Sequence, residues 1–275
     1  MALPFIPSDA GLLALQAAVV AAPRSVERPA WMERFHGRGW ALVPIGSIVV
    51  VVFAIRYVSD TATGLTWLAL IAVPILAAVA LAWAMRGARP AAALLVIPLF
   101  LLAWLNKNSL VGEGSGALLS ALSCVTLGVL LAAVTPPSWL KVGIVLMAAA
   151  DSWLVVSDLL QSPNAVLVSA HPPAGLPQLQ AEIFGSVSMG YGDLFVAGLL
   201  GAVLATQWRR QWQAALLTFA LAAAFDLLFL VISELPATVP VALALIVVEA
   251  YERISVARRR HHPSMRADAI PRQAR

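Results

Sequence analysis

Four aspartates, Asp151, Asp158, Asp193 and Asp226, are set inside long apolar stretches of the chain. A carboxylate near the middle of a bilayer costs about 2.5–3.5 kcal/mol on insertion scales, so each asks for a partner. Asp193 stands out, lying in Met189-Gly190-Tyr191-Gly192-Asp193-Leu194-Phe195-Val196. Two carboxylates within hydrogen-bonding distance cannot both ionise easily, so such a pair holds a single proton near neutral pH. That is the state general acid–base hydrolysis needs. The ionised member takes a proton from water as it attacks a carbonyl, and the protonated member stabilises the developing oxyanion before the leaving amine is protonated. This chemistry calls for no cofactor, metal, serine or thiol.

Depth selects the pair. At 1.5 Å per residue, Asp151 lies about 15 Å from the outer end of a helix ending near Gln161, and Asp193 about 14 Å from the outer end of one beginning near Phe184. The two are level. Asp158 would lie about 4–5 Å and Asp226 about 9 Å below the outer surface, within reach of water or loops. Asp158 follows Asp151 by seven residues and shares its helical face, as a group on a hydrated path would. On the Asp193 helix, Ser186, Gly190, Asp193, Ala197 and Gly201 form a small-residue stripe at helical spacing, a pattern that lets membrane helices approach closely.

The elements that must carry these residues are membrane helices. The 275 residues are 61% hydrophobic and only 12% charged, with a mean hydropathy of +0.87, against about a quarter charged in soluble domains. This implies an all-α polytopic membrane protein. Apolar runs occur at 41–58, 63–85, 90–105, 114–134, 142–161, 184–206, 213–232 and 235–250, with a marginal ninth at 4–22 that Asp9 interrupts. The chain divides into an N-terminal five-helix membrane region (1–140), a four-helix region carrying the chemistry (141–253) and a basic tail (254–275).

Alternating the loops puts Arg24, Arg28, Arg34, Arg38, Arg86, Arg89, Lys141, Arg209, Arg210 and every arginine from Arg253 to Arg275 on one side, leaving Arg56 and Lys107 on or near the other. The positive-inside rule makes the crowded side cytoplasmic, giving nine spans in a cell membrane with the N-terminus outside and the C-terminus cytoplasmic. Trp40, Trp104, Trp139, Trp208 and Trp212 fall at expected helix ends, where amphipathic rings belong. The net charge of +4 and pI near 9.8 reflect these topogenic clusters, so nucleic acid is not an expected partner. Cys124 is the only cysteine, which excludes an intrachain disulfide, and its apolar run suits a buried side chain. The tail around Arg258–His262 reads as a solvated basic end, not a metal site. The outer loop 162–183, with Pro163, Pro172, Pro173 and Pro177, is too rich in proline for continuous helix and suits a short strand or a lid.

The pattern resembles the intramembrane aspartyl proteases that include presenilin and signal peptide peptidase, and implies a prokaryotic-type homologue. Their hallmark is an aspartate in the sixth span, a GxGD motif in the seventh and a proline-alanine-leucine motif opening the ninth. Here Gly190-Tyr191-Gly192-Asp193 matches the second element, and Leu194 to Leu200 is similar to the run that follows it in signal peptide peptidases. Leu235-Pro236-Ala237-Thr238-Val239-Pro240 stands in place of the third, and Asp151 in place of the first aspartate. Two positions depart: Ala150 replaces the usual tyrosine before the first aspartate, and Thr238 replaces the leucine. The likeness covers roughly residues 140–250.

The resemblance implies a presenilin-like bundle in which Asp151 and Asp193 are catalytic, with Gly190, Tyr191, Gly192, Pro236 and Ala237 in support. Asp158 and Asp226 are rivals for the first aspartate. The implied substrate is a transmembrane or signal-peptide helix of another membrane protein. Cutting a helix requires unwinding it, and an extended segment in lipid needs backbone partners; Pro236 and Pro240 would free nearby carbonyls to supply them. Three alternatives stand beside this reading. Prepilin peptidases also use a GxGD aspartate, usually followed within two residues by lysine, where this chain has Phe195. A proton- or ion-coupled transporter would also hold intramembrane carboxylates, though with inverted repeats that this sequence does not display. A non-catalytic membrane scaffold is the third.

Overall fold

The computed structural model describes residues 4–26, 33–57, 61–107, 109–157, 159, 165–167, 169–170, 172, 175–230 and 235–261. Nine α-helices run through them: α1 (Phe5–Ala21), α2 (Val43–Tyr57), α3 (Thr61–Val79), α4 (Val96–Leu105), α5 (Leu110–Val134), α6 (Pro137–Val156), α7 (Tyr191–Leu204), α8 (Trp208–Phe225) and α9 (Thr238–His261). Local signals set several ends. Ser109 caps α5 by accepting the Gly112 N–H at 3.3 Å, and the Pro136-Pro137 pair stops α5 and opens α6 at positions where no helical N–H is needed. α3 continues as a π-helical turn, Ala80–Ala84.

Four helices among the described residues are long and apolar enough to cross a membrane: Thr61–Ala84, Leu110–Val134, Pro137–Val156 and Trp208–Leu228. α5 is the central one, with 72% of its apolar window buried inside the bundle against 28–33% for the other three. Its Gly128 faces Gly198 of α7 so closely that a Cβ on either residue would strike the other helix's backbone. Gly201, the next close contact on α7, meets the Val20 carbonyl of α1.

The expected segments needed revision in four places. α7 begins at Tyr191, not near Phe184, because residues 181–190 form an antiparallel hairpin: β1 (Ala181–Phe184) pairs with β2 (Val187–Gly190). Its turn uses Gly185 at φ 63°, the positive angle that a two-residue hairpin loop requires. Ser186 and Gly190 are therefore not on the Asp193 helix, and the small-residue stripe reduces to Ala197 and Gly201, joined by Gly198. α6 ends at Val156, short of Gln161, and it starts before the 140/141 boundary drawn between the two regions. Asp9 does not interrupt α1, which is continuous and packs on α7 and α8, so the two regions share one core. Finally α9 runs helical to His261, into the segment expected as tail.

The basic residues gather at one end of the bundle. The Arg24 N–H donates to the Ala84 carbonyl at 3.1 Å and the Arg86 N–H to the Ala22 carbonyl at 2.9 Å. The Arg86 guanidinium bonds Gln211 Oε1 at 2.6 Å and the Ala205 carbonyl at 2.7 Å while lying 4.2 Å from the Trp208 ring centroid. Lys141 pairs with Glu249 at 2.6 Å, and Arg210 pairs with Glu252. Gln211, fully buried, donates to the carbonyls of Val20, Pro23 and Gly201 and so ties α8 to α1 and α7. Trp40, Trp104, Trp139, Trp208 and Trp212 stay exposed at or near helix ends.

Candidate active site

Asp193 is the third residue of α7, and its Oδ2 accepts the backbone N–H of Gly190 at 3.1 Å. This is one half of a capping box, in which a side chain near the start of a helix satisfies a backbone donor that the helix leaves open. The glycine has a spatial reason: a Cβ at Gly190 would lie 3.1 Å from the same Oδ2. Gly192 meets nothing within 4 Å of its Cβ position, so the chain itself does not require a glycine there. Tyr191 turns away from the carboxylate: its hydroxyl shares a 2.7 Å hydrogen bond with Ser123 on α5. Its carbonyl faces the Sγ of Cys124 at 3.8 Å, and Cys124 is fully buried, as its apolar run suggests.

Asp151 projects from α6, which packs against α7 and α9. Its Oδ2 accepts the Thr238 hydroxyl at 2.5 Å. Thr238 opens α9, so Asp151 stands where the unsatisfied donors of another helix point. α6 and α7, which carry Asp151 and Asp193, pack against each other, and each carboxyl group accepts a donor at the N-terminal end of a helix. Each N-terminus carries roughly half a positive charge, which favours negative charge at that point.

The depths agree with this assembly. Counted from the basic end at 1.5 Å per residue, Asp193 lies about 17 Å above Leu204, Asp151 about 21 Å above Pro137 and Thr238 about 17 Å above Glu249. Both outer helix ends differ from those expected. The outer part of the α7 column is filled instead by the hairpin.

The proline-alanine segment arrives at the site in a different condition from the one anticipated. The Pro236 carbonyl accepts the Val239 N–H at 3.1 Å, and the Ala237 carbonyl accepts the side-chain amide of Gln16, on α1, at 3.1 Å. Both carbonyls are therefore engaged within the chain, because the first helix reaches across to fill one and a turn of the chain fills the other.

Asp226 stands elsewhere. It terminates α8, leads into the short 3-10 helix Asp226–Leu230, and has Asp9 of α1 as its electrostatic neighbour. Its buried Oδ2 has no partner in that setting. Asp158 lies outside the described residues.

Glu182 is a polar residue that the sequence did not single out. On β1 it is 1% exposed, and neither carboxyl oxygen has a hydrogen-bonding partner among the described residues. Ser120, the nearest hydroxyl, is turned to the Leu179 carbonyl at 3.3 Å. The residues alternating with Glu182, Ala181 and Ile183, line a cavity of about 290 Å³ that also touches Lys107 and Glu113. The only sequence signal for Glu182 was an acidic residue beside an apolar run, in a stretch read as loop. Among the described residues no group of three or more His, Cys, Asp or Glu side chains is placed to hold a metal ion.

Comparison with protein-family models, with curated proteins and with solved structures returns no match for this chain.

Proposed function

We propose that the chain is an intramembrane aspartyl protease in which Asp151 and Asp193 form the catalytic dyad. The single observation that carries the reading is that Asp151 and Asp193 stand on two helices packed against each other, each accepting a hydrogen bond, with the Pro236-Ala237-Thr238 segment beside Asp151. The substrate class is a transmembrane or signal-peptide helix, since a site about 17–21 Å from one end of the bundle meets chain at bilayer depth.

In the reaction, one carboxylate of the pair takes a proton from water as the water attacks the peptide carbonyl. The other, protonated, donates a hydrogen bond to the developing oxyanion, and the proton held between them passes to the departing amine. The converging N-termini of α7 and α9 add fixed positive potential where that negative charge grows. The aspartates change roles as the proton moves, so the pair returns to its starting state with one proton.

We further propose nine spans in a cell membrane, with the N-terminus outside and the basic end, with the C-terminus, in the cytoplasm. The support is the clustering of Arg24, Arg86, Lys141 and Arg210 at one end. The purified protein is to be offered a panel of transmembrane peptides beside its Asp151→Ala and Asp193→Ala variants. The expected result is cleavage by the parent chain alone. Cleavage that survives both substitutions, or proton-driven solute flux into liposomes without any proteolysis, would end this reading.

A further inference from the structure

We infer that Thr238 is a positioning residue for Asp151, and that Gln16 on the first helix sets Thr238 through a single shared peptide group. The inference rests on the protease reading for its kinetic consequence but not for its geometry. Thr238 is 3% exposed, and its hydroxyl is the side-chain donor to Asp151. The peptide unit joining Ala237 to Thr238 has two polar ends. Its carbonyl is held by Gln16 Nε2 at 3.1 Å, and the residue on its N–H side carries the hydroxyl that bonds Asp151. Gln16 is fully buried, so its amide has no water to turn to. The start of α9 is therefore held from α1 through this peptide's carbonyl and from α6 through the Thr238 side chain.

Three consequences follow for Asp151. Its Oδ2 is committed to Thr238, which restrains the rotation of the carboxyl group. A hydrogen bond to a charged group is roughly twice as strong as a neutral one, and it is worth most where water is scarce. And since the hydroxyl sits on the first residue of α9, any displacement of that helix start is transmitted to the carboxylate. A leucine at position 238, with no hydroxyl, could not make this bond.

The test uses the intact protein in lipid nanodiscs, with Thr238→Val, Thr238→Ser and Gln16→Leu. For a transmembrane peptide substrate, Thr238→Val should lower kcat by about 10- to 100-fold, the loss expected for one hydrogen bond to a charged group, with KM within about twofold because no substrate contact is removed. Thr238→Ser should restore most of kcat, and Gln16→Leu should give a smaller loss of the same kind. In parallel, the infrared carboxyl band of Asp151, identified by its disappearance in Asp151→Asn, should move in Thr238→Val and return in Thr238→Ser. A Thr238→Val variant with the parent kcat, or a Ser variant as impaired as Val, overturns the inference. Should the parent chain cleave no peptide, the protease reading fails, and the infrared band alone decides: a band unmoved by Thr238→Val overturns the positioning role as well.

Discussion

Among the described residues, the carboxyl groups of Asp151 and Asp193 are furnished differently from that of Asp226 beside Asp9. Asp151 and Asp193 each accept a hydrogen bond, from the Thr238 hydroxyl and the Gly190 N–H, and each lies at the N-terminal end of a helix. Asp226 instead ends α8, where the helix dipole presents negative potential, and its buried Oδ2 is unpaired beside Asp9. The same side-chain type thus stands in one place where charge is supported and in another where it is not. An apolar sequence context alone does not separate these cases; the direction of the neighbouring helices does.

The largest effect separates these residues by activity. Asp151→Asn and Asp193→Asn should each reduce peptide cleavage by about 10³-fold or more, the scale of lost acid–base catalysis, whereas Asp9→Asn and Asp226→Asn should remain within about threefold of the parent. Silencing by Asp226→Asn would reverse the comparison. Next comes Gly198→Val. The added side chain meets the Cys124 carbonyl, so α7 must move off α5, with an expected loss of about 1–3 kcal/mol in unfolding and a fall in cleavage, since Asp193 rides on that helix. Undiminished thermal stability in detergent would show that the close contact is not rigid.

A smaller prediction turns on sign. Asp226→Leu should stabilise the fold by about 1–2 kcal/mol by removing a buried oxygen that has no partner, while Asp151→Leu should destabilise by a similar amount because it strands the Thr238 hydroxyl. Denaturant titration of the two variants measures both, and equal signs would erase the distinction drawn here. The smallest effect belongs to the basic end: Lys141→Met removes a half-exposed ion pair with Glu249 and should change stability by less than about 1 kcal/mol with cleavage unaltered.

Part of the surroundings of Asp151 and Asp193 was legible because apolar runs mark helices. The helices bearing the two residues pack against each other, and the Thr238 hydroxyl brings the Pro236-Ala237 segment beside Asp151. The hairpin was not legible: Ala181–Phe184 and Val187–Gly190 are short, border a long apolar run, and at that length periodicity does not separate strand from helix. The loop had been expected to hold a strand, but its partner strand was read as the first turns of the Asp193 helix. Gln16 and Asp9 were missed for another reason. Their importance depends on α1 packing against α7, α8 and the start of α9, a long-range contact that no local pattern announces. Glu182 is illegible for the same reason, since its burial is created by α5.

The brevity of α7 has a further result. Its 14 residues rise only about 21 Å, against roughly 30 Å of hydrocarbon. The remaining height is occupied by a two-stranded ribbon, whose outer edges, unlike a helix, leave peptide groups unsatisfied and so draw solvent or other polar cover to that level. A column that changes from helix to ribbon just above Asp193 brings polar backbone close to that carboxyl group, and under the hydrolase proposed above it would mark the route by which water reaches it.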